Sequence, residues 1–94
     1  MKQYTFIFEF NGGTYVSQVV SNNVADSVSK WAESIDDEDM TGMTAALRQQ
    51  LNLQVANEDP VLLDGMNNVW CLCFTIGGKA SLLNIVGSDF SNND

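Results

Sequence analysis

The chain has 94 residues, 45% of them hydrophobic, and carries twelve acidic against four basic side chains, for a net charge of −8. This length supports a single hydrophobic core, and the scattered basic residues disfavour nucleic acid and anionic membranes, whose phosphates need clustered positive charge. No apolar run approaches the roughly 20 residues of a membrane helix, and the N-terminus lacks the pattern of a signal peptide. We therefore expect a cytoplasmic protein without cofactors, for which a basic protein is a compatible partner.

The clearest structural pattern is a β-hairpin over residues 4–20. Thr5, Ile7 and Glu9 lie on one side of its first strand, because side chains alternate along a strand. The Asn11-Gly12-Gly13 segment that follows suits the positive φ angles of a tight primed turn. Four aromatic residues share the other side of the strand, which we name the phenylalanine face: Tyr4, Phe6, Phe8 and Phe10.

The register of this hairpin depends on the length of its loop. A two-residue loop places Tyr15, Ser17 and Val19 on the phenylalanine face. A three-residue loop would instead place the alternate set there, which is Thr14, Val16, Gln18 and Val20. Both lengths fit the glycine-rich turn, so the sequence leaves the register open.

A helix is predicted to follow the hairpin over residues 24–35. Asn22 and Asn23 are favourable N-cap residues, and Asp26 in the first turn interacts well with the helix dipole. We expect the apolar stripe of this helix to pack on the phenylalanine face, with Trp31 as a core side chain rather than a ligand contact. The residues of the stripe follow helical spacing: Val24, Val28, Trp31, Ala32 and Ile35.

An acidic run ends this helix, because like charges at the negative end of a helix dipole prefer solvent. We expect the run to be a loop, and its members are Asp36, Asp37, Glu38 and Asp39. A second helix is predicted to begin after Thr41 as its cap, with apolar residues at helical spacing from Met43 to Leu51. Residues 53–68 are predicted to form a connecting loop, in which residues 61–63 either plug the core edge or form a short strand.

A second hairpin is predicted over residues 69–86, with Gly77-Gly78 as its turn. Its first strand is apolar on both sides, which is typical of an interior strand or of one that meets a partner. The final residues are polar, so we assign residues 1–87 to one domain and predict that residues 88–94 form a disordered acidic tail.

These elements predict an α+β fold in the order β-β-α-(α)-β-β. The four-stranded, mostly antiparallel sheet comes from the two hairpins, and one or two helices pack on one face of it. Ile7, Val16 and part of the second hairpin add apolar groups to the other face. A contiguous apolar patch there would exceed what monomers usually expose, so we predict a homodimer or a partner surface.

The residue types needed for most enzyme sites are missing from the sequence. There is no histidine, so the usual general base near neutral pH is absent. No serine, cysteine or lysine lies in a recognisable nucleophile motif. The sequence therefore predicts a protein that is not an enzyme and has no catalytic residues.

Two patterns resemble metal sites and fail as such. Cys71 and Cys73 supply at most two thiolates, whereas structural zinc needs four ligands, so we expect two cysteines packed in the core. Asp37 begins a run that matches the start of an EF-hand loop as far as Gly42, but Arg48 occupies the position of the required bidentate glutamate. The sequence predicts no metal site.

Two classes of function stay open. The first is a small acidic module that binds another protein, as inhibitors, antitoxins and immunity proteins do, through the open sheet face or the acidic run. The second is a domain that holds a small apolar ligand near Trp31 and Trp70; a structural subunit of a larger complex is a third reading. The predicted partner-binding residues are Ile7, Val16, Asp36, Asp37, Glu38 and Asp39.

Overall fold

The computed structural model describes residues 1–89. Its helices are α1 (Val24–Ser34) and α2 (Ala45–Asn57), with a short 3₁₀ helix at Asp37–Asp39. Its strands are β1 (Lys2–Phe10), β2 (Gly13–Ser21), β3 (Val61–Leu62), β4 (Val69–Ile76) and β5 (Lys79–Asp89).

The strands form one antiparallel sheet in the order β2-β1-β5-β4-β3. The predicted α+β class with two antiparallel hairpins is confirmed, and of the one or two helices expected the structure has two. The sheet has five strands where the sequence predicted four, because Val61 and Leu62 pair with Cys71 and Trp70. The short-strand reading of residues 61–63 is therefore the right one.

Strand β5 runs beyond the predicted end of the domain. Ser88 and Asp89 pair with Gln3 and Lys2 of β1, so the boundary expected at residue 87 falls inside this strand. The rest of the predicted tail, residues 90–94, lies outside the described residues.

Both hairpins close through two-residue loops. Phe10 pairs with Gly13, and the loop residues Asn11 and Gly12 have φ angles of 49° and 79°. Two positive φ angles in succession define a type I′ turn, whose twist matches that of the strands. The first of the two registers is therefore correct, and Tyr15, Ser17 and Val19 share the phenylalanine face. The second hairpin turns in the same way at Gly77 and Gly78.

The core lies between the phenylalanine face and the two helices. Trp31 is only 1% exposed. Its ring stacks on Phe6 at 5.5 Å between centroids and meets Phe8 edge-on at 5.0 Å. Aromatic contacts of this kind add to the stabilisation from burial. The predicted role of Trp31 as a core side chain agrees with these contacts.

The helix caps confirm one prediction and correct another. Asn23 caps α1, since its side chain accepts a hydrogen bond from the Asp26 backbone N–H at 2.8 Å. Helix α2 is capped by Thr44 and not by Thr41, because Thr44 accepts from the Leu47 N–H at 3.2 Å. Helix α2 also extends through residues 53–57, which the sequence placed in a loop.

The acidic run is more ordered than the predicted loop. Asp36 accepts a hydrogen bond from the Glu38 backbone N–H at 3.0 Å and so caps the 3₁₀ helix Asp37–Asp39. The prediction of a loop assumed that these negative charges would lie at the C-terminal end of α1, where the helix dipole disfavours them. In the first turn of a helix the dipole favours acidic side chains instead. The run follows that end and begins a turn of its own.

The two cysteines are not in the core. Cys71 is half-buried and Cys73 is exposed. The buried residues of β4 are Leu72, Phe74 and Ile76, so alternation directs both cysteines to the opposite side of the sheet. The expectation of core cysteines is therefore wrong. Both sides of β4 carry apolar residues, but the helices of residues 1–89 cover only the side of Leu72, Phe74 and Ile76.

Candidate protein-binding surface

In residues 1–89, no helix covers the side of the sheet opposite the phenylalanine face, and we name this side the open face. Ile7 of β1 pairs with Val16 of β2 and with Asn84 of β5. Asn84 in turn pairs with Cys71, and Cys71 with Val61. One row of side chains therefore crosses all five strands, and Asn84 is its only amide.

Several apolar side chains on this face are strongly exposed. Val16 is 65% exposed and Val61 is 61% exposed, at opposite ends of the row. Leu82 and Val86 of β5 are each 39% exposed. A scattered apolar side chain on a surface is ordinary, whereas a connected set across a sheet is typical of an interaction site.

One corner of the open face is polar. Gln3 donates a side-chain hydrogen bond to Gln18 at 3.2 Å, and Gln18 donates to the Thr5 hydroxyl at 3.1 Å. This cross-strand network lies beside the Ile7–Val16 pair. It divides the face into a hydrogen-bonded corner and the row from Val16 to Val61, which is apolar except for Asn84 and which we name the apolar row.

Strand β2 is an edge strand with an unoccupied side. In a two-residue hairpin the residues that flank the loop form a hydrogen-bonded pair, so bonded and non-bonded pairs alternate from Phe10 and Gly13 onward. The backbone groups of Thr14, Val16 and Gln18 therefore point away from β1. Within residues 1–89, these groups form no hydrogen bond with another part of the chain.

The opposite edge of the sheet is partly occupied. Strand β3 pairs with the first half of β4. Beyond β3, the Gln54 side chain of α2 accepts from the Thr75 N–H at 2.8 Å and donates to the Thr75 carbonyl at 2.7 Å. Gln50, one turn earlier in α2, accepts from the Gly77 N–H at 2.9 Å. Two side-chain amides thus take the place of a neighbouring strand.

A groove of about 370 Å³ lies between the β2 edge and the end of α1. Asp36 and Asp39 contribute two exposed carboxylates to it. The Tyr15 hydroxyl accepts a hydrogen bond from the Thr41 N–H at 3.0 Å, which fixes the chain after the acidic run against β2. The groove is lined by Thr14, Tyr15, Val16, Ser17, Trp31, Ser34, Ile35, Asp36, Asp39 and Met40.

The structure divides the predicted partner-binding residues into three groups. Val16 lines the groove together with Asp36 and Asp39, and Ile7 lies next to Val16 on the open face. Asp37 turns instead toward Arg48, with 3.5 Å between its carboxylate and the guanidinium Nε. Glu38 is exposed and does not line the groove.

Sequence reasoning did not identify β2 as an open edge strand. It also did not identify the hydrogen bonds of the Gln54 side chain to the backbone of Thr75 at the β4 edge. The segment Gly13–Ser21 contains no charged residue and no proline, the residues that usually protect an edge. That signal is informative only once the strand is known to lie at an edge. The strand order that places it there comes from long-range pairing.

The two tryptophans lie in different surroundings. The Trp70 ring rests on Tyr4, with 6.0 Å between centroids. It also lies close to Gly87, where an added Cβ would approach it to 3.1 Å. Trp31 is packed against Phe6 and Phe8 of the phenylalanine face. Each ring is thus in contact with protein groups.

Comparisons with known proteins leave the chain without an assigned family. No family model matches the sequence, and neither curated proteins nor solved structures give a significant match.

In the described residues, 1–89, no three Cys, Asp or Glu side chains come together as a metal site would require. No helix in that part of the chain has the length and apolar character to cross a membrane.

Proposed function

We propose that this protein is a non-catalytic interaction module that binds another protein through its open face. The observation that carries the proposal is the row of side chains that crosses all five strands from Val16 to Val61. Both ends of the row are more than half exposed. Burying such side chains against a partner is favourable by about 25 cal/mol per Å² of apolar area.

The charge of the chain indicates the kind of partner. With a net charge of −8, the protein attracts basic proteins over distances of about a Debye length. Inhibitors, antitoxins and immunity proteins, which neutralise a second protein by covering its surface, are the class of function that fits these two properties. A second copy of the chain is the alternative occupant of the open face.

A matched pair of substitutions tests this proposal. Leu82→Lys places a charge on the open face, whereas Leu53→Lys makes the same change on α2, where Leu53 is 60% exposed. Each variant serves as bait for capture from the native host, with quantification by mass spectrometry and analytical ultracentrifugation of the bait alone. We expect Leu82→Lys to lose the partner or the dimer and Leu53→Lys to retain it.

The salt dependence of capture separates the two surfaces. Binding through the apolar row should persist when the ionic strength rises, while binding through Asp36 to Asp39 should weaken steeply. Equal capture by the Leu82→Lys and Leu53→Lys variants would contradict the proposed use of the open face.

A further inference from the structure

We infer that the β2 edge takes up an extended, basic segment of the partner protein as a sixth strand. This inference rests on the proposed function, because it names the part of the partner that is bound and its chemistry. It adds a backbone-mediated contact along the border of the open face, where Val16 belongs to both surfaces.

The backbone of β2 offers the first element of this site. The outward N–H and C=O groups of Thr14, Val16 and Gln18 repeat at the spacing of an antiparallel or parallel neighbour. Lys30 covers the far end of the edge, since its ammonium group donates to the Val20 carbonyl at 3.3 Å. The accessible stretch is therefore 14–18, a length typical of strands that bind by β-augmentation.

The groove beside the edge offers the second element. Ser17 belongs to the phenylalanine face, yet it is exposed and lines the groove together with Trp31 and Ser34. In an added strand, the residue opposite Ser17 would project to the same side and enter the groove. There it would meet the carboxylates of Asp36 and Asp39, which favour lysine or arginine at that position.

Charge selects a basic segment over a second copy of this chain. Two copies joined edge to edge would bring together two chains with a net charge of −8 each, and β2 itself has no basic residue to offer the groove. A lysine-rich or arginine-rich strand avoids both disadvantages. It supplies basic side chains that neutralise the carboxylates of the groove, and the negative chain attracts it over distance instead of repelling it.

Residue-resolved hydrogen exchange by NMR tests the inference. The probe is a capped nine-residue peptide of alternating lysine and threonine, which matches the length of β2. Two peptides serve as controls: one with glutamate for lysine, and one lysine peptide with N-methyl groups on alternate residues. At a peptide concentration about ten times the Kd, the Val16 and Gln18 amides should exchange about tenfold more slowly. The Thr75 amide should be unchanged.

Variants separate the two elements of the site. Asp36→Asn with Asp39→Asn should weaken the lysine peptide by roughly three- to tenfold, the loss expected of two exposed charge contacts. The control is Asp59→Asn with Asp64→Asn, which changes the net charge equally at exposed positions outside the groove and should bind normally. Gln18→Pro removes one outward N–H and should abolish the protection of Val16.

Several outcomes would overturn the inference. Unchanged exchange at Val16 and Gln18, or equal protection by the glutamate or N-methylated peptide, would each do so. Protection that rises with protein concentration alone would name a second copy as the occupant. If the peptide fails while Leu82→Lys still abolishes capture of the native partner, the edge inference falls and the proposed function stands. If the peptide binds but Leu82→Lys has no effect on capture, peptide binding at the β2 edge stands and the proposed use of the open face falls.

Discussion

The two edges of this sheet differ in how their backbone groups are satisfied. At the β4 edge, a two-residue strand and the side chains of Gln50 and Gln54 occupy positions where a neighbouring strand would bond. At the β2 edge, Lys30 reaches only Val20, and the groups of Thr14 to Gln18 face outward. Unprotected edges invite pairing with other chains, and proteins usually block them.

The difference shows how a helix can protect an edge. Gln50 and Gln54 are one turn apart on α2 and so project from the same side of it. The helix that covers part of the core thereby also supplies the amides that end the sheet. Helix α1, which packs near β2, contributes a single lysine to the other edge. The open β2 edge, with its uncharged sequence, supports the binding role that we propose for it.

The largest expected effect on stability comes from introducing a proline at one or the other of two neighbouring positions in β2. Ser17→Pro removes an N–H that bonds to β1, and should lower the free energy of unfolding by about 3 kcal/mol. Gln18→Pro removes an outward N–H and should cost about 1 kcal/mol, chiefly through the lost side-chain contacts with Gln3 and Thr5. Urea denaturation measures both; equal losses would show that the two amides are in the same environment.

Opening the β4 edge should have the next largest effect. Gln54→Ala leaves the Thr75 N–H and C=O without their partners, and should lower stability by about 1–3 kcal/mol. Gln49→Ala, at an exposed position on the same helix, is the matched control and should be close to neutral. The Gln54 variant should also associate with itself more readily in sedimentation velocity. Identical behaviour of the two variants would remove the blocking role of Gln54.

Thiol labelling compares positions on the open face without any substitution. Cys73 is exposed and Cys71 is half-buried, so a maleimide should modify Cys73 first. Peptide mapping by mass spectrometry gives the two rates. Partner binding through the open face should slow both reactions, whereas faster labelling of Cys71 would contradict the described orientation of β4.

The smallest effect concerns β1, an interior strand of the sheet. Burial raises the pKa of the Tyr4 phenol above its ordinary value of 10.0, since the charged form is disfavoured away from water. The folded protein therefore holds this proton more tightly than the unfolded chain. Its contribution to stability is complete below pH 10 and is lost as the pH rises through the folded pKa. Ultraviolet difference titration of Tyr4→Phe against the parent protein measures the shift; a Tyr4 signal at or below the ordinary value would contradict it.

Local patterns in the sequence predicted most of the fold. The alternation of Phe6, Phe8 and Phe10, the stripe that contains Trp31, and the two glycine turns each depend on neighbouring residues. Strand β3 was an open alternative because two residues carry too little periodicity to define a strand. The positions of Cys71 and Cys73 on the open face were missed because a strand that is apolar on both sides does not reveal which side the helices cover.

The candidate site was only partly predictable, for a related reason. Ile7, Val16 and the acidic run were identified from apolar alternation and charge, and the structure brings Val16, Asp36 and Asp39 to one groove. The outward groups of β2 depend on its place at the end of the strand order. That order follows from the pairing of β1 with β5, which joins residues 75 to 87 positions apart in the chain.

Amide hydrogen exchange on the unliganded protein tests the central comparison most directly. We expect Val16 and Gln18 to exchange at nearly unprotected rates. Ser17, whose N–H faces β1, and Thr75, whose N–H bonds to Gln54, should be strongly protected. Protection of Val16 and Gln18 equal to that of Thr75 would show that the β2 edge is already covered, and would contradict its role as the open edge.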